Sequence, residues 1–221
     1  MGKKIAVIHT SLAVREKIDH EIRRQIPDAD IHNIIDEKLL SEVMERGGID
    51  SDIIKRMTLY VQAADSMGAD IIFNACSSVG EAFELAGKLT DIPCLKIDQA
   101  MAEQAAAEGC SIAVYGTVAT TLDPSARLIQ NVARDMGKEV TVTPHLIDGA
   151  FQILQEQGPQ KHNEMVLAKI RETHEKHDVI VLAQASMSVL IPEMGDIEKP
   201  VLYSVVSGVE RLKMMLEGAS K

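Results

Sequence analysis

The sequence contains the apolar stretch IAVIHT at residues 5–10 and a close copy, IAVYGT, at residues 112–117. A second stretch, DIIFNAC at residues 70–76, is similar to DVIVLAQ at residues 178–184. The two pairs are offset by nearly the same distance (112 − 5 = 107; 178 − 70 = 108). Because this period far exceeds the roughly 20 to 50 residues of solenoid repeats, it indicates duplication of a whole lobe.

Two further pairs of segments extend the repeat. PCL at residues 93–95 matches PVL at residues 200–202 (200 − 93 = 107), and NIID at residues 33–36 weakly matches HLID at residues 145–148 (148 − 36 = 112). Each segment is a short apolar run of the kind that forms a strand covered on both faces. About four strands are therefore expected in each lobe.

Helical patterns lie between these segments. Apolar residues recur every four positions over residues 14–26, Pro124 suits the first turn of another helix, and residues 166–177 form a polar-faced helical pattern. Strands that alternate with helices predict right-handed βαβ units and parallel sheets. The expected fold class is α/β, with two similar doubly wound lobes, each with a mainly four-stranded parallel sheet, related by a pseudo-twofold internal duplication.

The repeat also predicts the boundaries of the lobes. The first lobe is expected at residues 1–98 plus 207–221, and the second at residues 99–206. A strand at residues 200–206 should lead into a helix at residues 207–216 that returns to the first lobe. Parallel sheets bind ligands at the carboxyl ends of their strands, so the active site is expected in the cleft between the lobes.

Composition restricts the partners. The formal charge of −10 argues against a nucleic-acid partner, which would need a basic face. No run approaches the roughly 18 apolar residues of a membrane span, and no signal peptide is visible, so a cytoplasmic protein is expected. The 11 methionines suit adaptable packing in cores or at interfaces, and a homo-oligomer is one arrangement that they allow.

The sequence carries no motif for a cofactor or a metal. No Gly-x-Gly-x-x-Gly or Walker-type loop follows a predicted strand, so a nucleotide cofactor is not expected. His174 and His177 lie in a charged run that is typical of a solvated helix face and not of a metal site. The expected partner is a small carboxylate.

Small hydroxyl residues follow the predicted strands in both lobes. They are Thr10, Ser11, Ser77 and Ser78 in the first lobe, and Thr117, Thr120, Thr121 and Ser186 in the second. Hydroxyls and free amides at helix N-termini bind carboxylates well. Each of these residues alone is more often a helix cap than a ligand, but their placement in both lobes predicts a carboxylate site.

The three cysteines are interpreted differently from one another. Cys94 lies within an apolar strand and Cys110 just before one, as expected for small structural side chains. Cys76 lies at a strand-to-helix turn and is followed by two serines. There the helix dipole and nearby amides are expected to lower the thiol pKa from its usual value near 8.5, which would make Cys76 the catalytic group.

Taken together, the duplication, the hydroxyl-rich turn after the first strand and the cysteine after the Asp-led strand resemble the aspartate/glutamate/hydantoin racemase superfamily. VYGTVAT at residues 114–120 is similar to the family's second-lobe opening, and LAQASM at residues 182–187 is most similar to the hydantoin racemase branch. The resemblance implies that two cysteines face each other across the α-carbon of a carboxylic acid. One thiolate removes a proton and the other thiol returns one, without metal, pyridoxal or nucleotide.

The sequence departs from this pattern at the second cysteine. Cys76 lies six residues after Asp70, and Gln184 lies six residues after Asp178 (76 − 70 = 6; 184 − 178 = 6). An amide does not titrate near neutral pH and cannot act as an ordinary acid or base. Ser77-Ser78 also replaces the family's Asn-Thr.

Three functions remain open from the sequence. The first is a cofactor-independent racemase-type isomerase that acts at the α-carbon of a small carboxylic acid through Cys76. The second is a decarboxylase, lyase or cis-trans isomerase with a single cysteine, and the third is a carboxylate-binding protein without catalysis. The distinguishing feature is a second acid near Gln184, for which Ser186 and His145 are the candidates.

Overall fold

The computed structural model, described here for residues 2–218, contains two parallel four-stranded sheets, which confirms the expected fold class. The strands are β1 (Lys4–His9), β2 (Asp30–Ile35), β3 (Ile71–Asn74), β4 (Cys94–Lys96), β5 (Ser111–Gly116), β6 (Thr141–Leu146), β7 (Val179–Leu182) and β8 (Val201–Tyr203). Their orders are β2-β1-β3-β4 and β6-β5-β7-β8, and every adjacent pair is parallel. The two repeated stretches that open the lobes are therefore the central strands β1 and β5.

Helices connect these strands. They are α1 (Arg15–Gln25), α2 (Glu37–Arg46), α3 (Ser51–Ser66), α4 (Gly80–Gly87), α5 (Gln99–Glu108), α6 (Ala119–Asp135), α7 (Ala150–Gln157), α8 (Pro159–Thr173) and α9 (Ser204–Gly218). Short 3-10 turns cover Ser77–Val79, His174–Lys176 and Ala185–Glu193. None of the helices within residues 2–218 is long and apolar enough to traverse a lipid bilayer.

The chain divides into two compact units. The first comprises residues 2–99 with 205–218, and the second comprises residues 100–204. The division falls within two residues of each lobe boundary that the sequence suggests. The ends of the chain that the sequence assigned to the first lobe, residue 1 and residues 219–221, lie outside the described residues.

Successive side chains of the central strands point to opposite faces of each sheet, and both faces are buried. In the first unit Ala6 and Ile8 pack with Phe83 of α4, whereas Ile5 and Val7 on the opposite face are equally buried. In the second unit the side chains of β5 and β7 contribute to two separate apolar clusters. A strand buried on both faces needs an uninterrupted apolar run, which is why the repeated stretches contain so few polar residues.

Matching hydrogen bonds recur in the two units. The amide of Lys4 donates to the Asp70 carboxylate (2.8 Å), and the amide of Ser111 donates to the Asp178 carboxylate (2.8 Å). These pairs are separated by the repeat offset, so each aspartate directly precedes the third strand of its lobe and accepts from the first residue of the neighbouring strand. The amides of Ser111 and Cys110 both donate to Asp178 and hold its pKa below its usual range.

Beyond the strands, the amide of Ala75 donates to the Ile8 carbonyl (3.0 Å) and that of Ala183 to the Tyr115 carbonyl (2.9 Å). These bonds extend the ladder past the carboxyl ends of β3 and β7. The duplication therefore includes the turns that carry Cys76 and Gln184.

Two helix predictions differ from the structure. Pro124 is the sixth residue of α6 and not a first-turn residue, because the extended backbone of Val118 lets the helix begin at Ala119. The prolyl ring leaves the Thr120 carbonyl without its usual intrahelical donor. The final helix begins at Ser204, three residues before the expected start, and the preceding strand is correspondingly short.

Helix α9 packs closely in the first unit at Gly208. A Cβ added there would collide with the carbonyl oxygen of Ile97 and lie 3.1 Å from its Cγ1. Because the backbone oxygen cannot rotate away, Gly208→Ala is expected to lower the free energy of unfolding by about 1–3 kcal/mol through overpacking. The gain in helix propensity, about 1 kcal/mol at most, does not offset this loss.

Urea unfolding of Gly208→Ala and of the control Gly195→Ala measures the difference. No atom lies within 4 Å of a Cβ at Gly195. Equal unfolding midpoints for the two variants would show that α9 does not pack against Ile97 in this way.

Candidate active site

Cys76 lies at the carboxyl end of the first sheet. Its strand, β3, has β1 on one side and β4 on the other, so the segments that follow all three strands meet around it. The side chain of Asn74, which is fully buried, donates to the Cys76 carbonyl (2.9 Å) and fixes the turn into Ser77–Val79. The cysteine is half-buried. The fold thus holds the thiol at the edge of the sheet where parallel sheets bind ligands.

Hydrogen-bonding groups surround the Cys76 thiol and act to lower its pKa. They are the side chains of Thr10 and Ser78 and the amides of Ser78 and Val79. The Val79 amide also donates to the Cys76 carbonyl (3.4 Å). Thr10 follows β1, whereas the other donors belong to the turn that Cys76 begins. Hydrogen bonds to a thiolate favour its charged form, so this cage is suited to hold a negative sulfur.

The prediction that the turn lowers the thiol pKa is nevertheless wrong. Burial raises the pKa of Cys76 above its usual value, and the four hydrogen bonds only partly oppose this effect. The 3-10 turn leads directly into α4, but the groups at this helical end do not offset the effect of burial on the thiol. The resting group is therefore a thiol, and its conjugate thiolate is a stronger base than that of an exposed cysteine.

Gln184 occupies the equivalent position in the second unit. Its Oε1 accepts from the Thr117 amide (2.6 Å) and from the Thr117 hydroxyl (3.0 Å). Because an amide N–H can be accepted only by the side-chain oxygen, these bonds fix the orientation of the carboxamide. No hydrogen bond of its Nε2 group occurs among the described residues, so two N–H donors remain available on the side away from Thr117.

The two units thus share one arrangement. Thr10 and Thr117 follow the central strands and donate to the residues that follow β3 and β7. In the first unit the acceptor is the sulfur of Cys76, and in the second it is the amide oxygen of Gln184. The threonine hydroxyl is common to the two units, whereas a titrating atom follows β3 and a non-titrating amide follows β7.

The other predicted hydroxyls lie in different settings. The Ser11 hydroxyl accepts from the Ala13 amide (3.2 Å), as in a turn. Ser77 is buried and hydrogen-bonded to Asp98. In the first turn of α6, Thr121 is buried, and the buried hydroxyl of Thr120 has no hydrogen-bond partner. Ser186 is exposed.

His145 lies within β6 and is engaged by other aromatic rings. Its ring stacks on Tyr115 (4.8 Å between centroids), and its Nε2 lies 3.4 Å from Nε2 of His177. Burial, and then the His177 charge, lower the pKa of His145 below its usual value. The ring is therefore neutral at pH 7, and the structure does not bring it to Gln184 through any described contact.

Two buried polar residues were not singled out from the sequence. Asn74 shapes the Cys76 turn, and Asp98 follows β4 with its carboxyl buried. The rule that located Thr10 and Cys76, namely a polar residue just beyond the carboxyl end of a strand, also applies to Asp98. The corresponding position in the second lobe is Val205 (98 + 107 = 205), so the duplication itself marks Asp98 as specific to the first lobe.

Within residues 2–218, no group of three or more histidine, cysteine, aspartate or glutamate side chains is arranged to hold a metal ion. The hydroxyls, amides and thiol around Cys76 are hydrogen-bonding groups suited to a small anion.

Comparison with known proteins identifies the family. The model of the Asp/Glu/Hydantoin racemase family matches residues 5–212. A comparison with curated protein sequences found no match. Among solved structures, glutamate racemase isoform RacE1 from Bacillus anthracis is similar with a TM-score of 0.73 and 17% identity, covering 98% of this chain and 82% of that one.

Two further structures have the same fold. Aspartate racemase from Picrophilus torridus has a TM-score of 0.71 and 14% identity, covering 96% of this chain and 95% of that one. Allantoin racemase from Klebsiella pneumoniae has a TM-score of 0.65 and 19% identity, covering 98% and 89%. With a family match over nearly its whole length, the chain belongs to the Asp/Glu/Hydantoin racemase family and is a racemase-type enzyme, which is a kind of isomerase.

Proposed function

We propose that this protein is a cofactor-independent enzyme that moves the α-proton of a small carboxylic acid, with Cys76 as its only titrating acid–base group. The observation that carries the proposal is the contrast between Cys76, a thiol whose pKa the Thr10 side chain acts to lower, and Gln184, an amide whose oxygen accepts from the Thr117 amide and hydroxyl. A thiol and an amide at equivalent positions support proton transfer from one side of the substrate.

In the proposed reaction the resting Cys76 thiol first loses its proton to solvent. The thiolate then removes the α-proton, and the electron pair left on carbon is delocalised into the carboxyl group as an enediolate. Ser77, Ser78 and the free N–H donors of Gln184 would stabilise that charge, since hydrogen-bond donors act most strongly where charge develops. The thiol of Cys76 then returns a proton to the same carbon. Inversion would need a second acid, such as a water held by Gln184.

The substrate class follows from the charges near Cys76. The side chains that contact its sulfur are neutral hydroxyls, and the nearby Lys96 is ion-paired with Glu84. Arg15, the first residue of α1, is ion-paired with Asp19 at 3.1 Å. With no unpaired cation among these groups, an acid with one carboxylate fits better than a diacid, which would need a second clamp.

A single-cysteine decarboxylase is the second candidate, and one observation favours it. Burial keeps Cys76 protonated, which suits a group that donates a proton to the enediolate left when carbon dioxide departs. In that reaction the carbon–carbon bond breaks, its electron pair moves into the enediolate, and the thiol proton forms the new carbon–hydrogen bond.

The test is proton exchange in D₂O, followed by NMR. The acids to be offered are aspartate, glutamate, monocarboxylic amino acids and arylmalonates, with allantoin included because it is the substrate in the name of a similar structure. Loss of the α-proton signal supports proton transfer, and release of carbon dioxide from a malonate supports the second candidate. Tight binding of an acid with neither reaction would show that the chain only binds carboxylates.

A further inference from the structure

Asp98 is a buried acidic residue beside the turn that follows Cys76. It follows β4, the neighbour of β3, and is 3% exposed. Its carboxyl group is hydrogen-bonded to the side chain of Ser77, the residue after Cys76. Among residues 2–218, the buried Oδ1 atom of this carboxyl group has no hydrogen-bond partner.

An ionised carboxylate is poorly accommodated in such a place. Burying a charge with an unpaired oxygen is costly, and the group takes up a proton instead. Burial accordingly raises the pKa of Asp98 above its usual value, although Ser77, the Asp98 amide and the charge of Lys96 oppose it. The charge of Glu84 adds to the rise in the Asp98 pKa. Glu84 is ion-paired with Lys96, so the effects of these two charges on Asp98 oppose each other.

We propose that Asp98 is a positioning residue that sets the direction of the Ser77 hydroxyl and thereby makes carboxylate binding beside Cys76 dependent on pH. This inference rests on the carboxylate site of the proposed function. The Ser77 contact, the burial and the unpartnered oxygen are all features of the first unit.

The direction of the hydrogen bond follows from the protonation state. Protonated Asp98 donates its O–H to the Ser77 oxygen, so the Ser77 hydrogen is free to donate to a substrate carboxylate. Ionised Asp98 accepts that hydrogen, and only the Ser77 lone pairs then face the substrate. A donor thus becomes an acceptor, and the site should lose affinity for anions as pH rises through the pKa of Asp98.

Two alkylating reagents test this inference without any substrate. Iodoacetate carries a carboxylate and iodoacetamide does not, while both react with the same thiolate. The ratio of their rates at Cys76, measured by mass spectrometry of the Cys76 peptide across pH, therefore reports carboxylate affinity and cancels the ionisation of the thiol. Exposed Cys110 provides an internal reference for changes in net protein charge.

In the unmodified protein the ratio at Cys76 is expected to fall by roughly tenfold with rising pH, the size of one charge-assisted hydrogen bond. Asp98→Asn keeps a non-titrating donor to Ser77, so its ratio should stay high and flat. Ser77→Ala should give a low, flat ratio, and the exposed-site control Asp91→Asn should behave as the unmodified protein does.

A fall that persists in Asp98→Asn, or a flat ratio in the unmodified protein, overturns the inference. Failure of either reagent to label Cys76 also overturns it, because no carboxylate could then reach Ser77. The proposed function is tested separately, by α-proton exchange. A pH-dependent ratio without such exchange would mean that Asp98 controls carboxylate binding in a protein that only binds acids.

Discussion

Replacing Cys76 with serine is expected to lower the rate of α-proton exchange by roughly 10²–10⁴-fold, the usual contribution of a positioned acid–base group. Serine keeps the size of the side chain and can still accept from the Thr10 and Ser78 hydroxyls. It cannot supply a thiolate, and an alkoxide is far less accessible near neutral pH. The rate is measured by NMR in D₂O, with substrate binding measured independently by calorimetry.

Cys94→Ser is the matched control for this change. Cys94 is also half-buried in the first unit, and its sulfur lies 3.5 Å from the Ile92 carbonyl. It is the first residue of β4, whereas Cys76 lies beyond the carboxyl end of β3. If Cys76→Ser exchanged protons as fast as Cys94→Ser, Cys76 would be a structural thiol and the catalytic assignment would be wrong.

Gln184→Cys is expected to have the second large effect, an increase in racemisation of at least tenfold, toward the roughly 10²–10⁴-fold that a positioned acid–base group contributes. The Thr117 amide and hydroxyl, now 2.6 and 3.0 Å from the Gln184 oxygen, would be left to stabilise a sulfur anion. A second thiol would then be available as a second proton donor. Chiral chromatography of the recovered acid measures the inverted product.

Gln184→Ala separates a new acid from a lost amide. Because it removes hydrogen bonds and no titrating group, it should weaken substrate binding without raising inversion. Equal inversion by the alanine and cysteine variants would contradict the proposed role of position 184. It would mean that the carboxamide had merely obstructed another proton donor.

The strands and their parallel arrangement could be predicted because the repeat samples the same fold twice. The matched bonds of Lys4 with Asp70 and of Ser111 with Asp178 show why an aspartate begins each third strand. Helix boundaries were less accessible. Proline is tolerated in the first turn and, at greater cost, beyond it, so Pro124 did not fix the start of α6.

At the site, sequence position could place Cys76 and Gln184 but not the balance of forces on them. The sign of the Cys76 pKa shift depends on burial, which arises from contacts distant in sequence. Asp98 was missed for a related reason: its carboxyl group matters because Ser77 contacts it and its remaining oxygen is buried. Neither the Ser77 contact nor the burial of that oxygen can be predicted from a short stretch of sequence.

The most direct test of the central claim is the stereochemistry of exchange by the unmodified enzyme. A single enantiomer of a substrate acid is incubated in D₂O, and deuterium content and configuration are measured on the recovered material. Proton transfer by Cys76 alone predicts deuterium at the α-carbon with the starting configuration retained. Rapid incorporation accompanied by inversion would contradict the claim and would require a second proton donor opposite Cys76.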